Sequence, residues 1–269
     1  MGSNPIGGTD CLVSERGASV RLGGVALLLL SLSLRCVPQR VSLAREPPPE
    51  GPRLMSRRLN FLEPSFEPAD VDERTFLDVL GEVHGNFAGA RISYGVIGGV
   101  ASATYGRPRH TNDIDVLIRS DDSVRALDVL SGAAFATQRT DPERLWKAAK
   151  RGVVVEVALC TRGDIYLDDV MRARLRQTFF RGVPICAVPP EDLVVMKAIA
   201  HEEPSARHWH DALAVIAEAR LDWDYLIRRA SHGARRVLSL LLYAQSVDLV
   251  VPQRVIRGLF SYVDHREDA

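Results

Sequence analysis

Apolar and polar positions change their spacing several times along this chain, and each change predicts an element. Across residues 70–87 the apolar positions Val71, Phe76, Leu77, Leu80 and Val83 recur at helical intervals, with Asp70 as the expected N-cap. Residues 92–97 form a short β-rich run that stops at Gly98-Gly99. Residues 100–105 predict one or two helical turns, ended by Gly106-Arg107-Pro108. Residues 113–118 (DIDVLI) read as a strand, and residues 123–130 and 143–150 as helices. Residues 153–159 (VVVEVAL) read as a strand dense in β-branched side chains. A helix is expected over 164–177 and a further strand over 183–188. Beyond Pro189-Pro190 no strand signal remains, and residues 191–203, 207–219, 223–230 and 234–246 all carry helical spacing. The pattern therefore predicts an α/β (α+β) chain, with a sheet-containing domain over 55–188 and a helical domain over 189–269.

The first 54 residues stand apart. The run at 25–34 (VALLLLSLSL) is flanked by Arg16, Arg21 and Arg35. It is shorter than the roughly 20 apolar residues of a membrane span. It has the texture of a signal-peptide core, but no A-x-A-like cleavage site follows. A Pro-rich linker at 46–52 comes next, and Met55 then opens MSRRLNFLEP, which reads as an ordinary cytoplasmic start. The expectation is a disordered upstream extension, with export as the lesser alternative, no membrane association and a cytoplasmic location.

Composition narrows the function classes. The 269 residues are 46% apolar and 25% charged, enough for a buried core without metal or disulfide staples. The 34 basic residues balance 34 acidic ones, which argues against a dedicated nucleic-acid coat. Lysine is scarce: Lys147, Lys150 and Lys197 are the only three, against 31 arginines. The four cysteines (Cys11, Cys36, Cys160, Cys186) form no C-x-x-C, and Cys160 and Cys186 lie in apolar segments as expected core residues.

The chemistry concentrates in residues 94–118, YGVIGGVASATYGRPRHTNDIDVLI. Asp113 and Asp115 are two apart on a strand, so both carboxylates share one face while Ile114, Val116 and Ile118 point to the other. Two adjacent carboxylates repel unless a cation lies between them, and oxygen donors of this kind suit Mg²⁺. A solvated strand end is the plain alternative. Gly98-Gly99 follows a strand and precedes a helix, where glycines permit close approach and free N–H groups meet phosphate. A simple tight turn would need the same glycines. Ser102 and Thr104 could add hydroxyls, and Arg107 and Arg109, beside His110, could meet triphosphate charge. Glu156 interrupts an apolar strand, at a cost unless compensated, and would add a third acid on the same face if its strand neighbours 113–118. The other reading is an outward-facing glutamate.

Together, GG-V-A followed by G-R-P-R-H-T-N-D-I-D-V-L-I and a later acidic strand resemble the DNA polymerase beta-like nucleotidyltransferase superfamily. The form is similar to the AbiEii/AbiGii-type toxin family, and residues 190–216 are similar to its helical continuation. The resemblance implies a mixed sheet flanked by helices with a C-terminal helical bundle. It implies Mg²⁺ on Asp113, Asp115 and Glu156, where the family more often has Asp at the third position. Gly98, Gly99, Ser102 and Arg109 would contact the nucleoside triphosphate, and Lys197 and Asp211 would match the helical Lys and Asp lining the nucleotide site. From the residues alone, Lys197 equally reads as a snorkelling helix residue and Asp211 as an exposed ion-pair partner of Arg207. A toxin would modify tRNA or another RNA and have a cognate antitoxin partner; a resistance-type enzyme would modify a small hydroxylated molecule. Arg172, Arg174, Arg176 and Arg181, or Arg228, Arg229, Arg235 and Arg236, would offer RNA a basic approach. A catalytically silent nucleotide- or partner-binding domain is the alternative from another class. His201, His208 and His210 lack the spacing and partners of a zinc site.

Overall fold

The computed structural model describes residues 66–67, 69–106, 108–202 and 206–264. The expectations for residues 1–54 and for Arg107 lie outside the described residues. The strands are β1 (Tyr94–Val96), β2 (Asp113–Ile118), β3 (Ala136–Asp141), β4 (Leu145–Lys150), β5 (Val153–Ala158), β6 (Arg176–Phe180) and β7 (Val183–Ala187). The helices are α1 (Glu73–Gly89), α2 (Gly98–Tyr105), α3 (Ser123–Gly132), the single turn α4 (Asp169–Arg172), α5 (Pro190–Ala200), α6 (Arg207–Glu218), α7 (Trp223–Arg229), α8 (Ala234–Ser246) and α9 (Gln253–Asp264). The strands form one mixed sheet in the order β3-β4-β5-β2-β1-β7-β6, the mixed α/β arrangement expected. No described helix is long and apolar enough to cross a membrane.

Several local expectations are corrected. The cap of α1 is Asp72, not Asp70: its carboxylate accepts the backbone N–H of Thr75 at 2.9 Å, three residues on, as an N-cap must. Residues 145–150 form a strand, not a helix, although Leu, Lys and Ala are good helix formers. Alternation decides it: Trp146 and Ala148 are buried on one face, and Arg151-Gly152, both at positive φ (52° and 78°), make the two-residue turn that folds β4 onto β5. Most of 164–177 is also not helical. Asp168 caps only the turn α4, and the chain then enters β6, joined to β7 through Arg181-Gly182 at φ 47° and 86°. The strand β3 and the helix α9 carried no sequence expectation, and β6 begins inside the segment expected to be a helix.

The core explains how the site is held. Ile114, Val116 and Ile118 are fully buried behind β2, while Asp113 and Asp115 emerge half-buried from its other face. Helix α5 is buried all round, which marks a central helix rather than a surface one. Its polar residues are each compensated, as buried charge requires. Glu191 accepts the backbone N–H of Asp222 at 2.6 Å, and Asp192 accepts Tyr225 Oη at 2.6 Å and Arg229 Nε at 2.5 Å. Cys160 and Cys186 are buried and free.

Candidate active site

The site begins where β1 hands over to α2. The N–H of Ile97 donates to Asp115 O at 2.9 Å, so the ladder with β2 continues to the residue that caps α2. Gly98 then takes φ +60°, and a Cβ there would lie 1.6 Å from Asp115 Oδ2. The glycine is therefore required by the carboxylate above it as well as by the turn. A Cβ on Gly99 would lie 2.3 Å from Thr111 Oγ1 and 3.0 Å from Arg109 Nη2, so the second glycine seats the loop that precedes β2. The Gly99 N–H hydrogen-bonds the Asp115 carboxylate. Thr111 Oγ1 donates to Asp113 Oδ1 at 2.7 Å. Ser102 is buried and its hydroxyl donates back to Gly98 O at 2.7 Å, and Thr104 donates to Val100 O at 2.8 Å.

Glu156 joins this group through the sheet. Strands β2 and β5 run parallel with Asp115 opposite Glu156, so the two side chains share a face. On its other side Glu156 faces Lys147 of β4, whose Nζ lies 3.3 Å from Oε1. The outward-facing reading of Glu156 is thus only half true: it is half-buried and ion-paired. Burial, then the charges of Asp113 and Glu156, push Asp115 up to about 7; Lys197 and the Gly99 N–H pull the other way.

Lys197 and Asp211 close the opposite side. They are buried and paired at 2.9 Å, and Arg109 grips the same carboxylate through Nε at 3.0 Å and Nη2 at 3.2 Å. Burial raises Asp211, but Lys197 and Arg109 outweigh it and hold the carboxyl below its ordinary range. The snorkelling and exposed-pair readings are overturned, because Lys197 reaches inward and the partners of Asp211 are Lys197 and Arg109 rather than Arg207. The structure thus brings Gly98, Gly99, Arg109, Asp113, Asp115, Glu156, Lys197 and Asp211 into one neighbourhood. Lys147 and Thr111 belong to it too. Lys147 escaped notice because its segment read as a helix; the alternation of Leu145 to Lys150 was the available signal.

The donor chemistry fits a divalent cation. Asp113 and Asp115 project together, and Asp115 takes on charge with difficulty because it is half-buried and faces two other acids. Among the described residues, no three His, Cys, Asp or Glu side chains are gathered closely enough for one ion. Two carboxylates completed by substrate phosphates match the usual habit of Mg²⁺. Of the arginines expected to face RNA, Arg172, Arg174 and Arg181 pair with Asp169, Asp222 and Glu73, and Arg229 is buried between Asp192 and Asp168.

A family model described as uncharacterised nucleotidyltransferase matches residues 52–247. No curated protein sequence matches the chain. Among solved structures, the antibiotic-resistance factor ANT(2'')-Ia aligns with TM-score 0.43 and 10% identity, covering 73% of this chain and 99% of that one. The lincomycin-bound lincosamide antibiotic adenylyltransferase LnuA aligns with TM-score 0.39 and 11% identity, over 54% and 98%. A nucleotidyltransferase described as such from Thermotoga maritima aligns with TM-score 0.36 and 16% identity, over 44% and 80%.

Proposed function

The chain belongs to the uncharacterised nucleotidyltransferase family, and from that membership we propose that it transfers a nucleoside monophosphate from a nucleoside triphosphate to a hydroxyl acceptor, with Mg²⁺ as cofactor. The observation that carries this reading is the seat of Asp115 on Gly98: a strand carboxylate is packed where a Cβ would stand, beside Asp113 and at the start of α2. That packing costs free energy, because it holds a half-buried carboxylate against two others. A cation between the carboxylates offsets the cost.

Asp113 and Asp115 hold the ion, and Thr111 fixes the rotamer of Asp113. Bound Mg²⁺ supplies Lewis-acid polarisation of the α-phosphate. The acceptor oxygen attacks the α-phosphorus, the new P–O bond forms, the bond to the β-phosphate breaks and pyrophosphate leaves. The acceptor's proton passes to the carboxylate of Glu156, the third acid of the face. Gly98 and Gly99 seat Asp115 and Thr111 against the start of α2, and Arg109 and Lys197 supply positive charge on the side of α5 and α6.

The acceptor is the finer part of the reading. Arg172, Arg174 and Arg181 are paired with acids and Arg229 is buried, whereas Arg176 and Arg228 lie over the rings of Tyr105 and Tyr225 and Arg236 donates to His201 O. The two acceptor classes to be separated are a small hydroxylated molecule and tRNA; a toxin role and an antitoxin partner would follow from RNA transfer. The test incubates the protein with Mg²⁺ and each α-labelled nucleoside triphosphate, with total tRNA and hydroxylated small molecules in separate arms. Label transferred to one acceptor, and lost in Asp113→Ala, is the expected result. Nucleotide binding without transfer in any arm would replace this reading with a catalytically silent nucleotide-binding domain.

A further inference from the structure

Glu156 has two neighbours in register, and they pull it in opposite directions. Its parallel partner on β2 is Asp115, and its antiparallel partner on β4 is Lys147. Directly paired residues share a face, so Asp115, Glu156 and Lys147 form one row across three strands. Neighbouring strands lie about 4.8 Å apart, so a shift of the Glu156 carboxylate toward one partner takes it away from the other. Like charges side by side on a sheet repel and opposite charges attract. The row shows the result: Lys147 Nζ lies 3.3 Å from Glu156 Oε1, with the two side chains only 19% and 32% exposed, where salt screens a pair less than at the surface. Among the described residues, no three acids are gathered closely enough for one ion, although the register sets Asp115 and Glu156 opposite each other. Glu156 also has the longer arm of the two acid types, which lets its carboxylate lean toward β4 while its backbone stays opposite Asp115.

We propose that Lys147 is a positioning residue for the transfer: it draws the Glu156 carboxylate toward β4 and out of the ion's coordination, leaving Asp113 and Asp115 as the protein ligands and Glu156 available to the acceptor hydroxyl. This rests on the nucleotidyl-transfer reading given above. Lys147 touches neither nucleotide nor acceptor; it acts through Glu156. Removing its charge while keeping its aliphatic stem releases Glu156 toward Asp115 and adds a third acid to the cation site.

The test titrates Mn²⁺ into the full-length protein and the variants Lys147→Met, Lys147→Arg, Glu156→Gln and Lys147→Met/Glu156→Gln, with no nucleotide present. Lys147→Met is expected to tighten Mn²⁺ binding by about tenfold, the scale on which groups behind a ligand tune metal affinity. Lys147→Arg and Glu156→Gln are expected to bind as the wild type does, and the double variant to lose the gain. With labelled nucleotide, Lys147→Met should lower kcat while leaving the nucleotide KM unchanged, and Lys147→Arg should restore kcat. Weaker Mn²⁺ binding in Glu156→Gln would overturn the proposal, because Glu156 would then already be a ligand. A gain that persists in the double variant would overturn it as well, since it would come from charge alone. Unchanged affinity in Lys147→Met, with binding lost in Asp113→Ala, sinks this proposal and spares the transferase reading; binding retained in Asp113→Ala sinks that reading itself.

Discussion

Asp115 places the whole problem of the site in one side chain. Its folded proton affinity lies near 7 against an ordinary 3.8, burial being the main cause and the neighbouring acids the next. Between those values the folded protein holds a proton that the unfolded chain has released. Folding stability from this group is therefore full below about 4 and is lost as pH rises through about 7. Thermal melts in a chelator should show this decline in the wild type, and its absence in Asp115→Asn, which should be the more stable of the two at pH 8. Saturating Mg²⁺ should raise the wild-type melting temperature at pH 8 and leave Asp115→Asn nearly unmoved; equal melting of the two proteins at both pH values would refute the assignment. At this scale much of the site was legible in the sequence, because D-x-D on a strand and G-G before a helix are local signals. The partners of Asp211 were not, since Lys197 and Arg109 stand 14 and 102 residues away and only the folded helices bring them together.

At the scale of elements, two hairpins share one turn chemistry, and their glycines differ in what surrounds them. Gly152 and Gly182 both have positive φ, but a Cβ on Gly152 would approach Val71 Cγ1 to 3.0 Å, whereas a Cβ on Gly182 would meet nothing within 4 Å. Replacing Gly182 by Ala should cost only backbone strain, about 1 kcal/mol or more. Gly152→Ala should cost more, and because it strains the turn that sets β4 on β5 it should also lower transfer activity. Urea denaturation of the two variants checks the order. Those same hairpins are where the sequence misled. Residues 145–150 and 164–177 have helix-forming composition, but 145–150 are held as a strand by pairing with β5, and 176–177 open a strand paired with β7, partners that no local window contains. Strands β2 and β5 were readable because their β-branched runs need no partner to declare themselves.

Across the whole molecule, the candidate site and the join between sheet and helices are the same place. Lys197 from α5 and Asp211 from α6 form a buried pair, and Arg109 from the loop before β2 completes it. Losing Asp211 strands the buried Lys197, so Asp211→Ala should cost about 3–5 kcal/mol. The double change Lys197→Met/Asp211→Asn should recover most of that stability without recovering activity, and calorimetry beside the transfer assay separates the two effects. Full activity in the double variant would show that the pair serves folding alone.

The scarcity of lysine has a practical consequence. Each of the three lysine amines is held by a different acid: Lys147 by Glu156 opposite Asp115, Lys150 by Glu82 of α1, and Lys197 by Asp211 in the interior. An amine-reactive label read by mass spectrometry therefore has three lysine channels, one for the face of β2, β5 and β4, one for the anchoring of the β4–β5 turn and one for the interior join. Lys197, only 6% exposed, should be the last to react in the native protein and should report when the helices part from the sheet.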